Sequence, residues 1–359
     1  MISPFVRGAV NHHKRRIISG TAATTAPTCS LHLAQRTLSP LLSFQSQRPQ
    51  NQASSTPLRT VRMASTNSAN KNLTRDALFN CKGRVALVTG GGSGIGLMIT
   101  QALVANGAKV YITGRTGEKL DRVVETYSEG PDSIIPVPSD ITSKDEIAKL
   151  VRTIESKEPK GLHILVNNAG ISGSTLETSA ASGEEVKKNL FDAETSTFED
   201  WTSVYRTNVS QLFFTTTAFL PLLAKASDQE HGWSSSVVNI TSISGLVRSS
   251  QHHFQYNASK AAANHLTRML ATELAAENRI RVRVNAIAPG VFPSEMTAGE
   301  SRGDQKSELP KEKFVDKVPA ARPGKDEDMA QAVLGVVCNQ YMNGATVVVD
   351  GGYTIAMGC

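Results

Sequence analysis

The chain has 359 residues, of which 40% are hydrophobic and 19% are charged, a globular composition without any run of about 18 apolar residues that could span a membrane. Its formal net charge of +6 is unevenly distributed: residues 1–75 contain eight Arg, two Lys and no acidic residue, whereas residues 76–359 contain 28 basic and 32 acidic residues. Because a nucleic-acid-binding protein keeps its basic excess on its folded part, nucleic acid is excluded as a partner.

Residues 1–75 differ in composition from the rest of the chain. They include ten Ser and nine Thr, and their apolar residues follow no lasting period. Such a segment buries too little surface to offset the entropy of ordering, so we predict a disordered extension followed by a folded domain at 76–359. An Arg-rich, Ser-rich and acid-free segment is typical of a transit peptide and predicts mitochondrial import. Met63 is an alternative start that would leave a cytoplasmic protein.

From Arg84 onward, short apolar runs alternate with longer stretches of helical period, which predicts βαβ units around a parallel sheet. Strands are predicted at Val85–Thr89, Lys109–Thr113, Ile134–Pro138, His163–Asn167, Ser236–Thr241, Arg281–Ile287 and Thr346–Val349. Helices are predicted at Ile95–Asn106, Gly117–Ser128, Ser143–Ser156, Phe198–Ala226, Tyr256–Glu277 and Asp326–Asn339.

A glycine-rich turn joins the first predicted strand to the first helix. Between Thr89 and Leu97 the sequence reads Gly-Gly-Gly-Ser-Gly-Ile-Gly. Glycines let the backbone turn tightly and approach a pyrophosphate, and the N-terminus of the following helix supplies unpaired N–H groups and a positive dipole. The order strand, glycine turn and helix therefore predicts a dinucleotide-binding site.

The end of the second predicted strand indicates which dinucleotide binds. Sites of this kind carry an acidic residue about 20 residues downstream, where it accepts the ribose 2′-OH of NAD. Here that position is Gly114, and Arg115 follows, 19 residues after Gly96. Because an arginine can pair with a 2′-phosphate through two hydrogen bonds, we predict NADP(H) as the cofactor. The alternative is an arginine on a solvent-facing turn.

Polar motifs follow the later strands. They are Asp140-Ile141 after the third strand, Asn167–Gly170 after the fourth, Asn239–Ser242 after the fifth, and Tyr256–Lys260 at the start of a long helix. In open α/β sheets, ligands bind beyond the carboxyl ends of the strands, so we expect these motifs beside the cofactor.

Tyr256 and Lys260 are four residues apart and share one helical face. A free phenol has a pKa near ~10 and is a poor base at neutral pH. An ammonium one turn away, together with an oxidised nicotinamide, is expected to lower that pKa, so that Tyr256 exchanges a proton with a carbonyl or alcohol oxygen. Ser242, 14 residues earlier, is expected to hydrogen-bond to the same oxygen.

Together these motifs resemble the short-chain dehydrogenase/reductase family from about Arg84 to Gly352. The resemblance implies a single Rossmann-type doubly wound parallel sheet of about seven strands, in the order 3-2-1-4-5-6-7, with helices on both faces. It also implies a homo-oligomer, a tetramer or a dimer. The catalytic tetrad that it implies consists of Asn208, Ser242, Tyr256 and Lys260.

The same resemblance implies where the cofactor is bound. It places the pyrophosphate at Gly90, Ser93, Gly94, Ile95 and Gly96, the 2′-phosphate at Arg115, the adenine at Asp140 and Ile141, the nicotinamide and its ribose at Asn168, Ala169, Tyr256 and Lys260, and the carboxamide at Pro289, Gly290, Val291 and Thr297. No metal is predicted, because no Cys, His or acidic residues are grouped in a ligand pattern.

The substrate side gives a less specific signal. The segments Phe292–Thr297 and Ser259–Leu270 are similar to the 3-oxoacyl reductases of the rhamnolipid pathway in bacteria and their fungal relatives, which favours a 3-oxoacyl or other aliphatic ketone. Reductases of carrier-protein thioesters tend to present arginines late in the active-site helix. This chain has Glu273–Glu277 there, which argues against a carrier protein as partner.

The leading hypothesis is an NADPH-dependent reductase that converts a small ketone to a secondary alcohol. Two alternatives stay open: an NAD-linked alcohol dehydrogenase that works oxidatively, and a non-catalytic NADP-binding scaffold. The long connection Ser172–Ser196 is expected either to form a wall of the substrate pocket or to be a solvated insertion, and residues 292–320 are expected to form a mobile lid.

Overall fold

The computed structural model describes residues 70–315 and 318–358, all of which belong to the unit Ala64–Cys359. The described residues include only the last six residues of the predicted extension, 70–75. The predicted targeting signal lies outside the described residues. Within the described ranges, no helix is long and apolar enough to cross a membrane.

One parallel sheet of seven strands forms the centre of the fold. Its strands are β1 Val85–Thr89, β2 Lys109–Thr113, β3 Ile134–Pro136, β4 Ile164–Asn167, β5 Ser235–Ile240, β6 Val282–Pro289 and β7 Thr346–Val349. Their order in the sheet is β3-β2-β1-β4-β5-β6-β7, which confirms the predicted fold class. The strand order reverses between β1 and β4, and in such sheets a ligand crevice opens at that reversal, beyond the carboxyl ends of the strands.

Strand β1 illustrates why the sheet is buried on both faces. Its side chains alternate in direction, so Ala86 and Val88 pack into one core, whereas Val85 and Leu87 pack into the other. A continuous apolar run is typical of a parallel strand that is covered by helices on both sides. The boundaries of all seven predicted strands accordingly differ from the observed ones by two residues or fewer.

Helices cover both faces of the sheet. They are α1 Arg75–Leu78, α2 Gly94–Ala105, α3 Gly117–Tyr127, α4 Lys144–Lys157, α5 Gly183–Leu190, α6 Phe198–Tyr205, α7 Gln211–Asp228, α8 Phe254–Ala271, α9 Glu295–Ala298, α10 Asp326–Cys338 and α11 Tyr353–Met357. Helices α2, α3 and α10 contribute residues such as Leu97 and Val333 to one core. Helices α4, α7 and α8 contribute residues such as Ile154 and Phe219 to the other.

Two of the predicted helices are not continuous α-helices. A π-helical segment, Arg206–Ser210, separates α6 from α7, and a second one, Thr272–Glu277, follows α8. The prediction of an uninterrupted helix over Phe198–Ala226 was therefore wrong at its centre. Such segments often occur at functional sites, and the first one carries Asn208.

Candidate active site

The glycine turn after β1 is so tightly packed that its conformation depends on the absence of side chains. A Cβ atom on Gly96 would lie 2.1 Å from the carbonyl oxygen of Gly90, and Gly90 itself has a φ of +65°. Ser93 precedes α2 in an extended conformation, and its side chain makes no capping hydrogen bond to that helix. The turn therefore brings the N-terminus of α2 close to the end of β1, as a phosphate-binding site requires.

Asn168 joins the glycine turn to the end of β4. Its side-chain Nδ2 donates to the carbonyl oxygens of Thr89, at 2.9 Å, and Gly90, at 3.1 Å. The hydroxyl of Thr89 accepts hydrogen bonds from the backbone N–H groups of Asn168 and Ala169. These bonds hold the two strand ends on either side of the topological switch in one arrangement.

A cleft of about 770 Å³ extends from this turn to the beginning of α8. Eleven residues that were predicted as site residues line it: Gly90, Ser93, Gly94, Ile95, Arg115, Asp140, Ile141, Asn168, Ala169, Tyr256 and Lys260. Seven others do not line its wall: Gly96, Asn208, Ser242, Pro289, Gly290, Val291 and Thr297. The structure thus brings the predicted phosphate-binding turn and the predicted acid/base pair into a single cleft.

The four predicted carboxamide contacts are not part of the cleft wall. Pro289 ends β6 and pairs with Val349, and Gly290 packs so closely on β7 that an added Cβ would lie 2.8 Å from the Cα of Asp350. The hydroxyl of Thr297 donates to the carbonyl of Phe292, at 2.8 Å, within its own segment. These residues shape the segment after β6 rather than forming the surface of the cleft.

Ser294, which the sequence analysis missed, lines the cleft in place of Thr297. Its side chain lies against the glycine turn, because a Cβ on Gly94 would be only 2.8 Å from the Cβ of Ser294. Ser294 and Thr297 form a capping box at the start of α9. Because a capping box usually has Glu or Gln where Thr297 stands, the sequence gives only a weak signal for this turn.

Tyr256 and Lys260 project into the cleft from the first turns of α8. The Lys260 Nζ lies 5.6 Å from the centroid of the Tyr256 ring and donates to the carbonyl oxygen of Ile240 at 3.0 Å. A Cβ on Gly170 would lie 3.0 Å from Asn208 Oδ1 and 3.5 Å from Lys260 Nζ. Gly170 therefore leaves room for both polar groups beside the end of β4.

Three hydrogen bonds hold the side chain of Asn208, which lies in the π-helical segment. Its Oδ1 accepts a hydrogen bond from the backbone N–H of Ile171, and its Nδ2 donates to the carbonyl of the same residue, both at 2.9 Å. The Nδ2 also donates to the hydroxyl of Ser259 on α8, at 3.0 Å. Asn208 is thus held between the connection after β4 and the helix that carries Tyr256.

Burial determines the protonation of the two residues on α8. It lowers the pKa of Lys260 to about 8. It raises the pKa of Tyr256 above its ordinary value, and a hydrogen-bonding contribution from the Ser242 hydroxyl only partly offsets that rise. Burial is thus the dominant influence on the pKa of the phenol here, and the expectation that an ammonium together with an oxidised nicotinamide lowers that pKa stays a prediction.

Ser242 lies beside this pair rather than in the cleft wall. It is largely buried, and its Oγ accepts a hydrogen bond from the backbone N–H of Ser244 at 3.1 Å, which caps a short 3₁₀ turn. Its hydroxyl forms a hydrogen bond that lowers the pKa of Tyr256, so the two side chains meet where β5 ends and α8 begins.

Comparison with known proteins identifies the family of this chain. The short chain dehydrogenase family matches residues 84–305, which is more than half of the chain. The chain belongs to the short-chain dehydrogenase/reductase family. The short-chain dehydrogenase/reductase PhomF of Diaporthe leptostromiformis is 40% identical over 280 residues, which cover 77% of this chain and 92% of PhomF.

Two further members of the family are similar to this one. The rhamnolipids biosynthesis 3-oxoacyl (acyl-carrier-protein) reductase of Pseudomonas aeruginosa is 34% identical, over 77% of this chain and 98% of that protein. Among solved structures, the Pseudomonas aeruginosa RhlG/NADP active-site complex has a TM-score of 0.61 and 32% identity, and covers 77% of this chain and 98% of RhlG. A 7α-hydroxysteroid dehydrogenase complexed with NADH has a TM-score of 0.63 and 26% identity, with 78% and 97% coverage.

This short-chain dehydrogenase/reductase also places charged residues in the cleft that the sequence analysis missed. Lys119 on α3 and Glu295 on α9 form an ion pair of 2.6 Å across the cleft wall. Burial alone would raise the pKa of Glu295, but hydrogen bonds from Lys119, Ser301 and Ser93 hold it below its ordinary value. The partners are 176 residues apart in the sequence, so no local pattern indicates the pair.

Proposed function

We propose that this oxidoreductase uses NADPH to reduce a 3-oxoacyl or related aliphatic ketone to a secondary alcohol. The observation that carries the proposal is the single cleft that is lined at one end by the glycine turn and Arg115, and at the other by Tyr256 and Lys260. The relative that is named as a 3-oxoacyl reductase supports the substrate class, and the RhlG complex with NADP supports the cofactor.

The residues present fit a dinucleotide with a 2′-phosphate. Gly90 and Gly96 have no side chains where the backbone must approach a pyrophosphate, and the N-terminus of α2 faces the same space. Arg115 is exposed at the cleft wall, beyond the end of β2, where a 2′-phosphate would lie. NADPH, when bound, supplies a hydride to the carbonyl carbon.

The protonation of the site fits the reduction of a ketone. Because burial raises the pKa of Tyr256, its phenol is protonated at neutral pH and can donate a proton to a carbonyl oxygen. Lys260, with a pKa of about 8, can exchange protons near neutral pH, and both its Nζ and the Oδ1 of Asn208 lie beside Gly170. In the reverse reaction, the oxidation of an alcohol, the same group would have to act as the base.

The test is turnover by the purified protein. We expect NADPH to be consumed with at least one member of a panel of aliphatic ketones and 3-oxoacyl thioesters. The variant Tyr256→Phe should lose at least about 100-fold in kcat, because it removes the proton donor, and should still bind NADPH. Tyr341→Phe, at a fully exposed tyrosine, is the matched control and should behave like the wild type. Equal turnover by Tyr256→Phe would refute the proposed acid.

A second measurement concerns the choice of cofactor. The variant Arg115→Asp should shift the preference from NADPH towards NADH by at least about tenfold, because it replaces the partner of the 2′-phosphate with an acceptor for the ribose hydroxyl. Arg122→Asp, an exposed arginine on α3, makes the same change of charge away from the cleft wall. An unchanged preference in Arg115→Asp would favour the NAD-linked dehydrogenase.

We further propose mitochondrial targeting by residues 1–75, on the strength of their basic, acid-free composition. A fluorescent reporter fused to residues 1–75 should enter mitochondria, whereas a fusion that begins at Met63 should stay in the cytosol. A diffuse signal from the longer fusion would count against import.

A further inference from the structure

A single carboxylate connects three segments next to Tyr256. Asp200 Oδ1 accepts hydrogen bonds from the backbone N–H of Ser174, at 3.2 Å, and from its hydroxyl, at 3.3 Å. Asp200 Oδ2 accepts a hydrogen bond from Gln255 Nε2 at 2.7 Å. The same nitrogen of Gln255 donates to the carbonyl oxygen of Ser174, also at 2.7 Å. Asp200 therefore ties α6 to the connection after β4 and to the beginning of α8.

Packing restricts this cluster to one arrangement. Gln255 is only 1% exposed, so water cannot replace its protein partners freely. A reversed amide would turn its oxygen towards two acceptors, which excludes that orientation. Gly173 has a φ of +68°, and a Cβ there would lie 2.6 Å from Val204 Cγ2 and 2.9 Å from Gln255 Nε2. The cluster thus depends on a glycine and on the amide of Gln255 together.

Two of the three segments lead directly to a predicted catalytic residue. Gln255 immediately precedes Tyr256 in the first turn of α8. Asp200 lies in α6, which continues into the π-helical segment that carries Asn208. None of the residues Asp200, Ser174 and Gln255 lines the cleft, so any effect on the reaction must act through those neighbours.

We propose that Asp200 is a positioning residue that sets the place of the Tyr256 phenol by holding Gln255, and this proposal rests on the proposed function. Its carboxylate is the acceptor that fixes the first turn of α8 against α6. Without it, the Gln255 amide keeps one of its two acceptors, and α8 can shift at the point where Tyr256 enters the cleft. A misplacement of about 1 Å in a reacting group can cost up to about 100-fold in rate.

A purely structural role for Asp200 is the competing explanation, and the chain offers a matched control. Glu199 and Asp200 both lie in the first turn of α6, where an acidic residue stabilises the helix. Glu199 is exposed, and its carboxylate has no hydrogen-bond partner among the described residues. Replacing either residue with its amide removes one charge from the same turn, but only Asp200→Asn breaks the cluster.

The experiment compares kcat, the KM of the ketone, the Kd of NADPH and the Tm. In Asp200→Asn, one carboxylate oxygen becomes an NH2 group, which would face either the donors of Ser174 or the Nε2 donor of Gln255. We expect a fall of roughly 10- to 100-fold in kcat, with KM and Kd within about threefold of the wild type. Glu199→Gln should leave kcat unchanged. A Tm loss in Asp200→Asn with kcat equal to that of Glu199→Gln would overturn the proposal.

Gln255→Met keeps the experiment decisive if Asp200→Asn does not fold. It removes the donor from the other side of the same hydrogen bond and should reduce kcat to a similar extent. In a double-mutant cycle, the two losses should not add, because both variants break one interaction. Additive losses would overturn the proposal. The variant Tyr256→Phe separates the two hypotheses. If Tyr256→Phe keeps full turnover, the proposed function fails. If Tyr256→Phe is inactive but Gln255→Met is fully active, only the proposed role of Asp200 fails.

Discussion

The two edges of the sheet both contain buried ionisable groups, but they use them differently. At the carboxyl edge, Tyr256 and Lys260 line a cleft, and burial shifts the pKa of each towards the neutral form. At the amino edge, burial lowers the pKa of His163 to about 4 and that of Arg283 to about 10. Shifted pKa values therefore occur at both edges and do not by themselves identify the active site.

The difference lies in the partners of the polar atoms. Arg283 donates five hydrogen bonds, one to the hydroxyl of Ser234 and four to carbonyl oxygens at and beyond the end of α10. Trp233 packs between His163, at 5.2 Å between ring centroids, and the guanidinium of Arg84, at 4.1 Å. At the carboxyl edge, Tyr256 and Lys260 face the cleft of about 770 Å³. Arg283 and Trp233 border a smaller cavity of about 370 Å³, but the guanidinium is bonded to protein groups. The comparison predicts that changes at one edge impair function, whereas changes at the other impair stability.

The largest effect is expected from Gly96→Ala at the carboxyl edge. The added Cβ would lie 2.1 Å from the carbonyl oxygen of Gly90, so the whole turn must move. We expect the affinity for NADPH, measured by fluorescence titration, to fall by more than about 100-fold, which is roughly 3 kcal/mol of binding free energy. Circular dichroism would show whether the fold persists.

Gly335→Ala is the control for that variant. Gly335 also lies within a helix, α10, but no atom lies within 4 Å of the position of an added Cβ. Alanine should therefore keep full affinity and raise stability slightly, by roughly 0.5–1 kcal/mol. A wild-type affinity in Gly96→Ala would show that the glycine turn does not form the phosphate site.

The second prediction concerns the amino edge. Arg283→Met should reduce the free energy of unfolding by about 3 kcal/mol, because it removes a buried guanidinium that donates to four carbonyl oxygens near the end of α10. The carbonyl oxygens of Val337, Asn339 and Met342 keep a second donor, whereas that of Val336 loses the guanidinium. The kcat of the folded variant should stay unchanged. Arg281→Met removes an exposed arginine two residues earlier and should cost less than about 1 kcal/mol. A large loss of kcat in Arg283→Met would contradict the division between the edges.

The sequence predicted those features that depend on local pattern. Apolar runs that are buried on both faces give β1 and the other strands, and the polar residues that follow them meet because parallel strands end at one edge. The tight packing around Gly90 and Gly96 leaves no room for a side chain and therefore requires glycine. This requirement makes the turn recognisable in the sequence. These are constraints that the local chain itself imposes.

What the sequence did not predict depends on contacts between distant residues. The π-helical segment at Asn208 forms where that side chain bonds to Ile171, 37 residues away, and nothing in the local sequence distinguishes it from an α-helix. The cluster of Asp200 joins residues 26 and 55 positions apart. The raised pKa of Tyr256 follows from burial, which the spacing to Lys260 does not reveal.

The smallest predicted effect is a dependence of stability on pH that arises from His163. In the folded protein its neutral Nδ1 accepts a hydrogen bond from the backbone N–H of Val85 at 3.1 Å, and burial lowers its pKa to about 4. An unfolded histidine has a pKa near ~6.5, so the contribution of His163 to stability is complete above that pH. It is lost as the pH falls from about 6.5 towards 4, because only the unfolded chain then binds the proton.

Urea unfolding at pH 7.5 and pH 5 measures this contribution. Between these two values, His163 should account for about 2 kcal/mol of the stability that the wild type loses. His163→Asn should be less stable at pH 7.5 but should lose correspondingly less on acidification, whereas His265→Asn, at an exposed histidine on α8, should follow the wild type. If His163→Asn loses as much stability as the wild type, His163 is not buried in its neutral form. The paired environment of His163, which contrasts with the open cleft, would then not hold.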